Sequence, residues 1–139
     1  MEIGSFIQLQ FHTGQEWYTE EKYPAMEVAR LNSGRAAIYH AITVLGCDTV
    51  YLPYYQCETV REFLKKKGVA VKYYRIDEKF APILPEKQKS NEAIVLVNYY
   101  GVFSHCRMQA LSKSYQNVVI DNSQAFFSEP IDGCMSVYS

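Results

Sequence analysis

From Ser33 onward the sequence alternates helix-period and strand-period apolar patterns, and this alternation constrains the fold more than any other feature. Ala37, Ile38, Ala41, Ile42 and Leu45 form one helical stripe, with Ser33 as its N-cap and Gly46 as its stop. Thr49 to Leu52 reads as a short buried strand closed by Pro53. Val60, Phe63 and Leu64 mark a second helix that ends in Lys65-Lys66-Lys67-Gly68, where the lysines complement the helix dipole. Ala70 to Ile76 is predicted as an outer strand, and Asp77 to Asn91 as a polar loop. Ala93 to Val97 is uninterrupted and apolar, the pattern of a strand covered on both faces by helices. Met108, Leu111 and Tyr115 define a third helix, and Val118 to Ile120 a buried strand ending at Asp121. Strands alternating with helices predict an α/β fold with a mainly parallel sheet, whose ligands gather beyond the carboxyl ends of the strands. Residues 1–30 form a separate N-terminal segment ahead of the domain at 31–139, and Thr13 to Leu31 carries no placeable pattern.

Composition narrows the function classes. Fourteen Lys and Arg against 15 Asp and Glu leave no summed field to draw nucleic acid or an anionic membrane, so the ligand is expected to be small. The four cysteines, Cys47, Cys57, Cys106 and Cys134, form no CxxC pair, and no histidine cluster stands at zinc-ligand spacing, so no metal is expected. Met1 to Gln10 lacks the basic start and apolar run of a signal peptide, and no stretch of about 18 apolar residues is present to span a bilayer. The expected location is cytoplasmic, with reduced thiols.

Three polar clusters fall at helix starts or strand ends. In Asn32-Ser33-Gly34-Arg35, the free amides of a helix start form an anion site suited to phosphate, with Arg35 as a further donor; plain helix capping explains the same residues. In Leu52 to Thr59, Tyr54 and Tyr55 either face a ligand ring or pack against neighbouring loops. Cys57 has a helix start to lower its thiol pKa but no histidine base identified in the sequence, which argues against a cysteine nucleophile. In Val118 to Ala125, Asp121 follows a buried strand directly. It either caps the next turn, binds a metal without companion carboxylates, or pairs with a protonated pyridine nitrogen.

In this order the clusters resemble the fold type I enzymes that use pyridoxal 5'-phosphate (PLP), most closely the DegT/DnrJ/StrS sugar aminotransferases. The resemblance runs from about Leu31 to Ser139. Asn32-Ser33-Gly34-Arg35-Ala36-Ala37 is similar to the family's Ser-Gly-Thr-Ala-Ala helix start, which holds the cofactor phosphate. Gly46 to Pro53 resembles its Gly-Asp-Glu-Val strand, Val69 to Asp77 the strand after it, and Val97-Asn98-Tyr99-Tyr100-Gly101 its His-Leu-Tyr-Gly loop. Ile120-Asp121-Asn122-Ser123-Gln124-Ala125 resembles its Glu-Asp-Ala-Ala-Gln-Ala, the most specific of these matches. The resemblance implies that Ser33, Gly34 and Arg35 meet the phosphate, that Asp121 pairs with the pyridine nitrogen and that Gln124 contacts the cofactor. Arg35 stands where the family often has Thr. The family's ring-stacking aromatic aligns with Cys57, which leaves Tyr54 or Tyr55 as its substitute.

The same resemblance implies a three-layer α/β sandwich, as in the large domain of fold type I enzymes, incomplete at its C-terminus. The family's Schiff-base lysine follows within a few residues of the position of Ser139, so this chain is expected to be truncated before it, with no catalytic residue for transamination and with PLP held noncovalently. Homodimerisation, as in family members, is expected to cover the sheet edge left open. In the intact family the small molecules handled are amino donors and nucleotide sugars. The competing expectations are a noncatalytic binding or oligomerisation module that keeps the fold, and an unrelated nucleotide-binding domain, against which the missing Gly-x-Gly-x-x-Gly weighs.

Overall fold

A computed structural model describes residues 14–24, 26–84 and 87–139. The reading of Met1 to Gln10 therefore lies outside the described residues. The chain divides into two compact units, Met1–Arg30 and Leu31–Ser139. In the first, the described residues form turns, with Arg30 clamped to Glu16 at 2.7 Å, Lys22 3.9 Å above the Trp17 ring, and Tyr18 stacked on Tyr23.

The second unit is α/β, in the order α1 (Gly34–Val44), β1 (Thr49–Pro53), α2 (Glu58–Lys66), β2 (Ala70–Ile76), β3 (Pro82–Ile83), β4 (Glu92–Val97), a single 3-10 turn (Tyr99–Gly101), α3 (His105–Ser112), β5 (Val118–Asp121) and β6 (Met135–Val137). Local sequence sets the boundaries. Ser33 is extended, and its hydroxyl accepts from the Ala36 amide, so α1 begins there. Both α1 and α2 end in the same closure: Gly46 and Gly68, at φ of 67° and 80°, take the left-handed turn that lets the amides of Cys47 and Val69 reach back to the carbonyls of Ile42 and Leu64.

The strands lie in the order β3-β2-β1-β4-β5-β6. All pairs are parallel except β2 with β3, a short antiparallel return through Arg75↔Ile83. Thus part of the predicted Asp77–Asn91 loop is strand, and β2 is covered by β3 rather than being outermost. β6 was not foreseen either.

Alternation along the strands builds two cores. Val50, Leu52, Ala93, Val95 and Val119 pack with Ile38, Ile42, Val60 and Leu64 of α1 and α2, whereas Tyr51, Ile94, Leu96 and Ile120 pack with Met108 of α3. Helices therefore cover both faces, which is why β4 is buried throughout. Each aliphatic side chain buried as fully as Ile38 or Ile42 contributes about 1.5–3 kcal/mol. The chain leaves β1 toward β2 on one side and resumes at β4 on the other, so the sheet's direction switches between β1 and β4. In open α/β sheets the crevice at the carboxyl end of such a switch is where ligands bind. No helix among the described residues is long and apolar enough to cross a membrane.

Candidate functional site

The carboxyl ends of β1, β4, β5 and β6 and the start of α1 bring most of the sequence-predicted residues to one edge. Asp121 closes β5, paired with Val97 of β4 and Val137 of β6, and is 7% exposed. Its Oδ1 accepts from the Ser123 amide at 3.0 Å and the Ser123 hydroxyl at 2.6 Å. This is the turn-capping role open to any aspartate after a strand. Its Oδ2 accepts from Gln56 Nε2 at 3.2 Å, across 65 positions of sequence.

The Ser123 hydroxyl in turn accepts from Ser139 Oγ at 2.9 Å. Both serines crowd the start of α1: a Cβ placed on Gly34 would lie 2.9 Å from Ser139 Oγ and 3.4 Å from Ser123 Oγ. Gly34 is thus the residue that lets the two hydroxyls approach the helix start. The amides of Gly34 and Arg35 begin the helix and have no partner within it, while Ala36 is capped by Ser33 and Ala37 bonds the Ser33 carbonyl. Two amides and the positive end of an 11-residue helix make a donor set for an anion, which the Ser139 hydroxyl joins by turning away from Ser123, whereas the Ser123 proton is committed to Asp121. The Ser33 hydroxyl serves the cap.

The Arg35 guanidinium lies 5.8 Å from the Phe63 ring of α2. Its charge still reaches Cys57, whose thiol is held below its ordinary value first by the hydroxyl of Thr59, 3.1 Å away, and to a lesser degree by Arg35. Cys57 is exposed and precedes α2 without capping it.

Tyr55 stacks on Tyr99 with ring centroids 5.4 Å apart, and its hydroxyl lies 3.0 Å from that of Tyr100. Tyr99 donates to the Tyr55 carbonyl at 2.6 Å, and its phenol is pushed up mainly by burial and next by the charge of Asp121. Tyr54 stacks on Tyr73 at 5.0 Å. Both tyrosines thus pack against neighbouring rings, yet Tyr55 remains 55% exposed, with surface left for a ligand. Gln124 accepts from the Tyr100 amide at 3.3 Å and ties the β4 turn to the turn after β5. Beside the loop after β1 lies a cleft of about 480 Å³, lined by residues that include Gln56, Cys57, Arg61, Lys65 and Tyr73.

Sequence reasoning missed Gln56, Ser123 and Ser139. Ser123 had a signal, because an Asp-x-Ser run after a strand is a turn in which the serine folds back on the carboxylate. Gln56 and Ser139 had none, since their partners are distant in sequence. Comparison of the sequence with protein-family models and with curated proteins gives no match.

Proposed function

We propose that Leu31–Ser139 is a cofactor-binding domain of the aminotransferase-like kind, related to the DegT/DnrJ/StrS family and to the three-layer sandwich of fold type I enzymes, and that its carboxyl edge takes pyridoxal 5'-phosphate. One observation carries this reading: a buried carboxylate, Asp121, is joined through Ser123 and Ser139 to the start of α1, so that an acid for a cationic nitrogen and a donor cup for a phosphate share one edge.

The donor chemistry fits the group at both ends. The phosphate is held by the Gly34 and Arg35 amides, joined by the Ser139 hydroxyl as it turns from Ser123. Asp121 holds the proton on the ring nitrogen. At about 4 Å and intermediate dielectric a carboxylate and a pyridinium attract by roughly 4 kcal/mol, enough to keep that proton in place at neutral pH. Ser123 fixes the carboxylate from one side, and Tyr55 and Tyr100 wall the crevice. When bound, the cofactor supplies an electron sink for a substrate carbanion. The same reading takes the working unit as a homodimer.

Isothermal titration of the chain with pyridoxamine 5'-phosphate, which carries ring nitrogen and phosphate but no aldehyde, tests the reading. Binding is expected, and Asp121→Ala is expected to weaken it at least tenfold. Binding unchanged by Asp121→Ala would remove the reading.

A further inference from the structure

We infer that Gln56 is a latch on Asp121: it occupies the carboxylate oxygen meant for a ligand's cationic nitrogen and swings away when that ligand enters. The inference rests on the reading of Asp121 as the partner of a ring nitrogen.

The two oxygens of Asp121 are held very differently. Oδ1 takes two short bonds from Ser123, both within the turn that follows β5. Oδ2 meets Gln56 Nε2 at 3.2 Å, longer than the 2.7–2.9 Å typical of strong charge-assisted bonds. The cost of that contact falls on the other end of the amide, because Gln56 Oε1 is buried without a hydrogen-bond partner among the described residues. An orphaned buried carbonyl costs about as much as the bond at the other end contributes, so the closed position is nearly balanced.

A glutamine that serves as a permanent strut looks different in this same molecule. Gln88 Nε2 donates to the carbonyls of Glu92 and Gln116 at 2.8 and 2.6 Å, and its Oε1 accepts from the Gln116 amide at 2.9 Å. Every part of that amide is used. Gln56 uses only one end.

The open position is provided as well. Gln56 lines the cleft of about 480 Å³ beside the loop after β1, and Arg61 and Lys65 line the same cleft. A side chain rotated into it leaves Oδ2 free and places Oε1 in a cleft that holds Lys65 and the Arg61–Glu58 pair. A ligand with a protonated ring nitrogen gains the vacated oxygen, whereas one carrying only a phosphate does not require the latch to move.

The test is titration of the intact chain with two probes, pyridoxamine 5'-phosphate and benzyl phosphate, which has the phosphate and ring but no ring nitrogen. Gln56→Ala and Gln56→Met, the latter matching the length of glutamine without its amide, are compared with the wild type and Asp121→Ala, each checked for folding by circular dichroism. Both Gln56 variants are expected to bind pyridoxamine 5'-phosphate about twofold more tightly, with benzyl phosphate unchanged. Equal or weaker binding of pyridoxamine 5'-phosphate by the Gln56 variants, with dependence on Asp121 intact, overturns the latch and leaves the cofactor reading standing. An equal gain for both probes also overturns the latch. Failure of the wild type and both Gln56 variants to bind pyridoxamine 5'-phosphate, or binding indifferent to Asp121→Ala, overturns both.

Discussion

Replacing Lys72 with Met is expected to destabilise the protein more than replacing Glu92 with Gln, although both changes break the same ion pair. Lys72 Nζ lies 2.8 Å from Glu92 Oε1, and Glu92 Oε2 accepts from the Lys89 amide at 2.8 Å. The two partners differ in their access to water: the Glu92 side chain is 3% exposed and that of Lys72 32%. Glu92→Gln leaves an ammonium that can turn to solvent and keeps an acceptor for Lys89, so its cost lies a little above the surface-pair range, at about 1 kcal/mol. Lys72→Met strands a buried carboxylate on one amide donor, which costs about 3 kcal/mol. Acid narrows the gap. The Glu92 carboxyl is held below its ordinary value of 4.5, chiefly by the bond from Lys72 and against the effect of burial. A lowered folded-state pKa means that the pair's contribution is complete above pH 4.5 and is lost as pH falls through the folded value. The deficit of Lys72→Met relative to the wild type is therefore largest at neutral pH and shrinks in acid, where the stranded carboxylate is neutralised. Urea unfolding read by circular dichroism measures both effects; with a slope of about 2 kcal/mol/M the two midpoints separate by roughly 1 M. Equal losses under about 0.5 kcal/mol in the two variants would refute the reasoning, since that is the behaviour of a solvated pair. Glu92 opens β4 whereas Asp121 closes β5, so binding at the carboxyl edge is expected to be unchanged in both variants.

Two further outcomes bear on the candidate site. Gly34→Ala places a methyl 2.9 Å from Ser139 Oγ and 3.2 Å from its Cβ, so the serine must shift and the anion cup opens. Titration should show at least tenfold weaker binding of pyridoxamine 5'-phosphate, while urea unfolding shows stability altered by no more than about 1 kcal/mol because Ala is the better helix former. Cys57 is exposed with its thiol held down, whereas Cys47 and Cys134 are half-buried with thiols pushed up mainly by burial. Iodoacetamide labelling followed by mass spectrometry should therefore modify Cys57 before Cys47 and Cys134, and Thr59→Val should raise the pH at which Cys57 reacts.

Elements defined by local pattern were legible in the sequence, and those defined by pairing were not. Ser33 announces α1 because a cap needs only residues three positions away, and Ala93 to Val97 announces β4 because burial on both faces leaves it no polar position. By contrast, β3 is two residues long and exists only because β2 offers an edge at Arg75 and Ile76. β6, with Ser136 at its centre, is a strand because it continues the parallel ladder from β5. The site divides in the same way. Asp121 was legible because a carboxylate after an apolar strand demands a partner. Its turn partner Ser123 lay within the local pattern, whereas Gln56 reaches it only through the fold and was not legible.

The backbone at the carboxyl edge adds a last reason to place function there. Tyr100 sits at φ 54°, in the left-handed region that a tyrosine rarely adopts and that costs it on the order of 1 kcal/mol or more. Nothing in the two cores requires this, because the residue is 61% exposed. The strained turn is held by bonds from two directions: its amide donates to Gln124 Oε1 at 3.3 Å, and its hydroxyl lies 3.0 Å from that of Tyr55. Gln124 belongs to the turn that begins at Asp121, and Tyr55 to the loop that carries Gln56. The turns after β1, β4 and β5 are therefore tied to one another by side-chain bonds that meet at Tyr100, and the strain there accompanies that tie.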